Sequence, residues 1–339
     1  MSRLRFLLRY RLVIGLGSLA LVLTITYQFL SDPIFSDENI LVVSDEYNWP
    51  KDYIFMMLPD GSRQRRLERG FDPACSPDGH RIAFAAPDDS LLPNSKRYDQ
   101  IFIMDVNRSN VKQLTSDSSP KFTPAWSPDG QFLAFGSYSE SVPRTPIWHI
   151  DIIDLRDMTI TRPIDQNWSV SYPAWSPDGK QIVVSAFNHR TEASGLYLTD
   201  TKGNYMTRLT YDFDRQPDWS PDGKYIAYLY RPAGVEMSST IRVIGSDGSN
   251  PIDIVPAKYQ PRSLKWSPDG KRIVFVGHTE SGDGVFVINS DGSGLTPITQ
   301  LGKKVLGAEG GVIPLLLKVF YEKVTWCMVK YIKPRRSTL

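Results

Sequence analysis

Repeated carboxylates and scattered histidines are the residues in this sequence whose chemistry is worth weighing first. Asp78, Asp129, Asp178, Asp222 and Asp269 all stand third in a Ser-Pro-Asp-Gly string. Carboxylates brought to one place could exchange protons with a substrate or hold a metal. These five occupy the same turn position in separate repeats, which scatters them and assigns them to capping backbone donors. His80, His149, His189 and His278 fall in different repeats without a metal-ligand spacing such as H-x-x-x-H. Ser-Asp-Gly-Ser at 246–249 and 290–293 resembles part of a calcium loop, but it lacks the spaced acids and the closing Glu. No catalytic, metal or cofactor residue is assigned, and the expectation is a protein that is not an enzyme.

The elements that carry these aspartates are repeats. Asp72-PACSPDGHRIAF, Thr123-PAWSPDGQFLAF, Tyr172-PAWSPDGKQIVV, Gln216-PDWSPDGKYIAY and Ser263-LKWSPDGKRIVF align, and their serines are 51, 49, 44 and 47 residues apart. A period of this size signals a solenoid, propeller or array. Proline biases the preceding residue towards extended backbone, Ser-Pro-Asp-Gly makes a turn, and the apolar run after it has strand length. Each unit therefore opens with a β-hairpin.

A second hairpin follows about 25 residues on, as in Ile101-FIMDVNRSNVKQLT and Leu196-YLTDTKGNYMTRLT. Two hairpins make a four-stranded blade. A further copy, Ile54-FMMLPDGSRQRRL, precedes the first Ser-Pro-Asp-Gly unit, with Ile40-LVVS before it. That blade lacks its innermost strand. The fold expected is an all-β, six-bladed propeller of four-stranded blades over 39–300, with the missing strand donated by the other end of the chain, and one transmembrane helix before it.

The Pro-Ala-Trp-Ser-Pro-Asp-Gly-Lys string followed by an apolar triplet resembles the repeat of TolB-type propellers, the WD40-like or PD40 repeat, also seen in tricorn-like and prolyl-oligopeptidase-like peptidases. The resemblance implies the propeller, an extracytoplasmic place and protein partners bound at the channel mouth. Only about ten residues separate the apolar N-terminal run from the first strand, so the α/β domain that precedes the propeller in TolB itself is not expected. A peptidase relative would carry a G-x-S-x-G elbow, and the sequence has none.

Trp126, Trp175, Trp219 and Trp266 share one repeat position and are assigned to packing blade on blade. Cys75 stands in that position in the first unit. The chain has two cysteines, Cys75 and Cys327, too few for a disulfide framework. A bridge between them is disfavoured, because neighbouring inner strands usually lie too far apart. The candidate binding loop is the longest connection between second and third strands, at Asp88, Asp89, Lys96 and Arg97, on the face where loops vary.

Charge divides the chain in three. Residues 1–30 carry four Arg and no acid, the last 39 residues carry eight bases against two acids, and the body has a net charge of −8. An acidic body repels phosphate backbones, so nucleic acid is not an expected partner. Arg3, Arg5, Arg9 and Arg11 precede Leu12–Leu30, nineteen residues without a charge, long enough to span a bilayer as an uncleaved signal-anchor. The arginines place residues 1–11 in the cytoplasm and export everything after residue 31, through the linker 31–38. The segment 301–339 breaks the repeat; an amphipathic helix, a closing strand near Val324 and a disordered tail all remain open. The reading is a membrane-anchored, non-catalytic scaffold for a protein or ligand, on the periplasmic or cell-surface side, with a channel-centred hydrolase or lyase on saccharide or peptide as the alternative.

Overall fold

The structure is a computed structural model, and it describes residues 39–45, 52–88, 98–139, 147–231, 239–280, 282–299 and 321–327. The chain divides into two compact units, Met1–Ile34 and Phe35–Leu339. The first, with the expected membrane span, lies outside the described residues. Among those described, no helix is long and apolar enough to cross a membrane.

The second unit is six four-stranded antiparallel sheets. Blade two runs β4 (Phe71–Cys75), β5 (Arg81–Pro87), β6 (Asp99–Asp105) and β7 (Lys112–Gln113) from inside to outside. Blade three is β8 (Lys121–Trp126), β9 (Phe132–Ser139), β10 (Ile147–Asp154) and β11 (Ile160–Thr161); blade four is β12 (Trp168–Trp175) to β15 (Thr207–Arg208). Blades five and six run from β16 (Arg215–Trp219) to β19 (Ile252–Val255) and from β20 (Ser263–Trp266) to β23 (Thr296–Pro297). Blade one is β1 (Asn39–Asp45), β2 (Asp52–Met57) and β3 (Arg65–Arg69), completed on the inside by β24 (Tyr321–Cys327). Each innermost strand touches the next, and β24 lies between β20 and β4, so the ring closes. Closure leaves no free inner edge for another chain to pair with.

Of the three readings of the C-terminal segment, the closing strand is therefore the one found near Val324. Its register repeats that of the other blades. Trp126 pairs with Leu133 and Trp175 with Ile182, and Trp326 pairs with Ile40 in the same place. Blade one's residue at the repeat's tryptophan position, the fifth tryptophan found there, is supplied from the far end of the chain.

The Ser-Pro-Asp-Gly turn has one geometry throughout. In blade three, Ser127 Oγ donates to Asp129 Oδ1 at 2.6 Å and accepts from the Phe132 amide at 2.9 Å, while Asp129 Oδ1 accepts from the Gln131 amide at 3.0 Å. Gly130 takes a φ of 68°, which only glycine adopts without strain. The serine hydroxyls hold Asp129, Asp178 and Asp222 below the usual carboxylate range. Burial pushes Asp78 and Asp269 upward, but the same serine and backbone bonds more than offset it. The aspartates are ionised caps.

Trp126 belongs to a core cluster with Ala83, Ala85 and Phe135, which draws on blades two and three. Its Nε1 donates to the Ala74 carbonyl of the preceding blade at 3.0 Å, and Trp175 Nε1 donates to the Ala125 carbonyl at 3.1 Å. Trp219 and Trp266 are also buried between blades, but without a partner for Nε1. Cys75, where this indole would stand in blade two, is disulfide-bonded. That corrects the expectation of an unbridged thiol: the sequence offers one partner, Cys327, which ends β24 in the neighbouring blade. A cystine so placed takes over the link between blades that an indole makes elsewhere.

Candidate functional site

Four innermost strands break register in the same place. The shift falls between Phe71 and Ala74, Phe122 and Ala125, Ser171 and Ala174, and Arg215 and Asp218. In each bulge the residue before proline is left-handed: Asp72 at φ 51°, Thr123 at 48°, Tyr172 at 53° and Gln216 at 52°. Left-handed backbone at a residue with a Cβ costs on the order of 1–3 kcal/mol and tends to persist at functional sites. Blade six has Ser263-Leu264 instead of a residue followed by proline, and its inner strand pairs without a break. Asp72 Oδ2 accepts from the Thr123 amide at 2.8 Å, tying one bulge to the next.

These bulges divide the channel. On the Ser-Pro-Asp-Gly side is a cavity of about 350 Å³ walled by the Pro-Ala-Trp segments. There the alanine of the repeat is replaced by Asp218, and the next blade has Lys265 beside its tryptophan. Lys265 Nζ donates to Asp218 Oδ1 at 2.5 Å, and Asp218 Oδ2 accepts from the Trp266 amide at 2.8 Å. Opposite charges at the two non-consensus positions of adjacent repeats were a signal for this pair that the sequence reading did not use.

On the other side of the bulges is a wider opening of about 880 Å³. Antiparallel strands bring the start of one and the end of the next to the same rim, so Phe122 of β8, Tyr138 of β9 and Trp148 of β10 meet there. Trp148 packs edge-on to Phe122 with ring centroids 4.9 Å apart and lies 5.3 Å from Tyr138. Phe187, Phe213 and Tyr172 continue the aromatic wall through blades four and five. Lys121, buried behind them, donates to Asp117 at 2.7 Å and to the Ser119 hydroxyl. Asp99, Asp214 and Arg215 add charge at the wall.

Of the candidate binding loop, only Asp88 is among the described residues, and it does not line this opening. Asp88 is buried and accepts from Gln113 Nε2 at 3.0 Å. Asp89, Lys96 and Arg97 lie outside the described residues. Asp78, Asp129, Asp178, Asp222 and Asp269 belong to turns on the far side of the bulges. Among the described residues no group of three His, Cys, Asp or Glu side chains is placed to hold a metal. His149 is buried beside Arg162, and burial first and that charge second hold it below the usual imidazole range. His278 Nδ1 lies 2.7 Å from Asp283 in blade six.

Comparison with known proteins agrees with this architecture. The TolB beta propeller domain, PD40, matches residues 80–236. A protein TolB homolog of Chlorobium chlorochromatii is 32% identical over 147 residues, which is 41% of this chain and 30% of that protein. The match therefore spans less than a third of that relative's length. TolB from Acinetobacter baumannii superposes with a TM-score of 0.66 at 20% identity, over 91% of this chain and 71% of that one. An oligogalacturonate lyase from Vibrio parahaemolyticus gives 0.51 at 13% identity, over 78% and 80%. At such identities the superpositions speak for the fold alone. Taken with the five Ser-Pro-Asp-Gly units, the PD40 match and the similarity to the TolB homolog support a TolB-like PD40 β-propeller family for this chain.

Proposed function

We propose that this protein is a membrane-anchored, extracytoplasmic scaffold whose propeller binds a protein partner at the wide channel opening. The observation that carries the reading is the opening itself, which combines strained bulges in neighbouring blades with an aromatic wall. Two of its rings, Trp148 and Phe213, are 41% and 58% exposed. Large apolar side chains gathered at a rigid rim mark interaction surfaces. The disulfide at Cys75 supports an oxidising compartment, as the arginines before Leu12–Leu30 support export of the propeller.

Affinity capture from solubilised envelopes tests it. The tagged full chain should recover a partner that Trp148→Ala/Phe213→Ala loses, while Ile252→Ala on the outer strand of blade five retains it. Equal recovery by the unsubstituted chain and both variants would place the partner elsewhere. The alternative, a hydrolase or lyase working in the channel, draws its support from the fold shared with the oligogalacturonate lyase. Stoichiometric manganese, zinc or calcium in the purified protein would favour that alternative.

A further inference from the structure

Exposure alternates where the chain enters β16. Phe213 is 58% exposed, Asp214 only 3%, and Arg215 is exposed again, so the ring and the guanidinium turn out to the wide opening while the carboxylate between them turns in. Burial pushes the Asp214 carboxyl up to about 6; its oxygens are closed to solvent, and the Thr210 hydroxyl and the Arg231 amide face it. Asp214 belongs to the interior. Phe213 and Arg215 are what this edge of the opening offers a partner.

Elsewhere on the wall the charged groups are answered from within. Asp72 accepts from the Thr123 amide at 2.8 Å. Asp99, raised by burial first and by the Asp72 charge second, is faced by Arg69. Lys121 donates to Asp117 at 2.7 Å. Arg215 differs from all of these: among the described residues it has no hydrogen bond and no ion pair, with Asp212 or with any other acid. Ser171 and Ser194 line the same opening, and neither hydroxyl is committed to another described group. A guanidinium is a planar fork of donors that matches a carboxylate at two points, and free hydroxyls can donate to the same anion.

Resting on the reading of the opening as a protein-binding surface, we propose that it recognises an acidic side chain, Asp or Glu, two residues from a large apolar one on an extended segment of the partner. The carboxylate meets Arg215, and the apolar side chain lies against Phe213 and the aromatic wall. Residues two apart on extended backbone point the same way at a separation of about 7 Å, the spacing that Phe213 and Arg215 themselves set. Charge complementarity at Arg215 selects this occupant over a basic or wholly apolar one. Because the body of the propeller is acidic, with a net charge of −8, a carboxylate is attracted only at such a cation, which fixes the register of the segment.

Calorimetric titration of the full chain in detergent micelles uses acetyl-Leu-Ser-Glu-amide and its isostere acetyl-Leu-Ser-Gln-amide as probes. The glutamate peptide should bind at least about tenfold more tightly than the glutamine peptide. Arg215→Gln should erase the difference, with its thermal unfolding transition showing that the variant is folded, and Arg215→Lys should keep part of it. Equal affinities, a preference that survives Arg215→Gln, or no saturation by the glutamate peptide up to about 10 mM would each overturn the proposal. If both peptides bind alike and Phe213→Ala abolishes both, only recognition of the acidic side chain fails. If partner capture is indifferent to Trp148 and Phe213, the underlying reading fails.

Discussion

At the scale of single residues, the repeat's most visible polar groups are structural, and the informative ones depart from it. Asp214 shows the difference. Its carboxyl is raised from the ordinary aspartate value to about 6, so ionisation opposes folding. Its penalty is absent below the unfolded pKa near 4, grows as pH rises from about 4 to about 6, and is complete above that. Asp214→Asn should therefore raise unfolding free energy at pH 7.5 by roughly 1–3 kcal/mol and leave it unchanged at pH 3.5, measured by denaturant titration. A loss at pH 7.5 would mean that the carboxylate has a partner. Asp218, by contrast, is fully used: Asp218→Ala strands the Trp266 amide and should cost about 1–3 kcal/mol. Changing Lys265→Leu as well should cost less than the two single changes together, in a double-mutant cycle.

At the scale of elements, the blades were legible because five copies of one hairpin reinforce each other: Ser, Pro, Asp and Gly recur in register in all five and Trp in four, from Asp72 to Gly270. The bulges were not. Asp72, Thr123, Tyr172 and Gln216 share no side-chain chemistry, and their left-handed backbone arises from pairing around the proline that follows. The opening was hidden for another reason, since Phe122 and Trp148 come from the first and third strands of blade three and Phe213 from the approach to blade five, and they line one opening only after the strands reverse direction. Gly136 lies behind this wall, and a Cβ there would come within 2.0 Å of the Phe122 ring. Gly136→Ala should displace Phe122 from Trp148, shifting the indole emission and weakening capture of the partner. An unchanged spectrum would show that the wall is not packed as described.

At the scale of the whole molecule, the ring is shut by a strand from outside the repeats, and the expectation of a donated strand agrees with β24. The expectation against a disulfide failed. It compared backbone distances between inner strands and overlooked that Cys75 occupies a position from which side chains already reach the neighbouring blade, as Trp126 reaches Ala74. Cys75→Ser should lower stability by about 2–4 kcal/mol, and a thiol assay on the unfolded, unreduced wild type should find no free thiol. Removing 301–339 should open the ring and broaden or split the unfolding transition; a cooperative transition like that of the intact chain would contradict closure by β24.

The central claim is that the wide opening meets a partner outside the cytoplasm, and photo-crosslinking in intact cells tests it most directly. A benzophenone amino acid at position 148 should give a discrete adduct with an exported protein, and the same group at 252 should give none. Adducts from 252 alone, or with a cytoplasmic protein, would contradict the account.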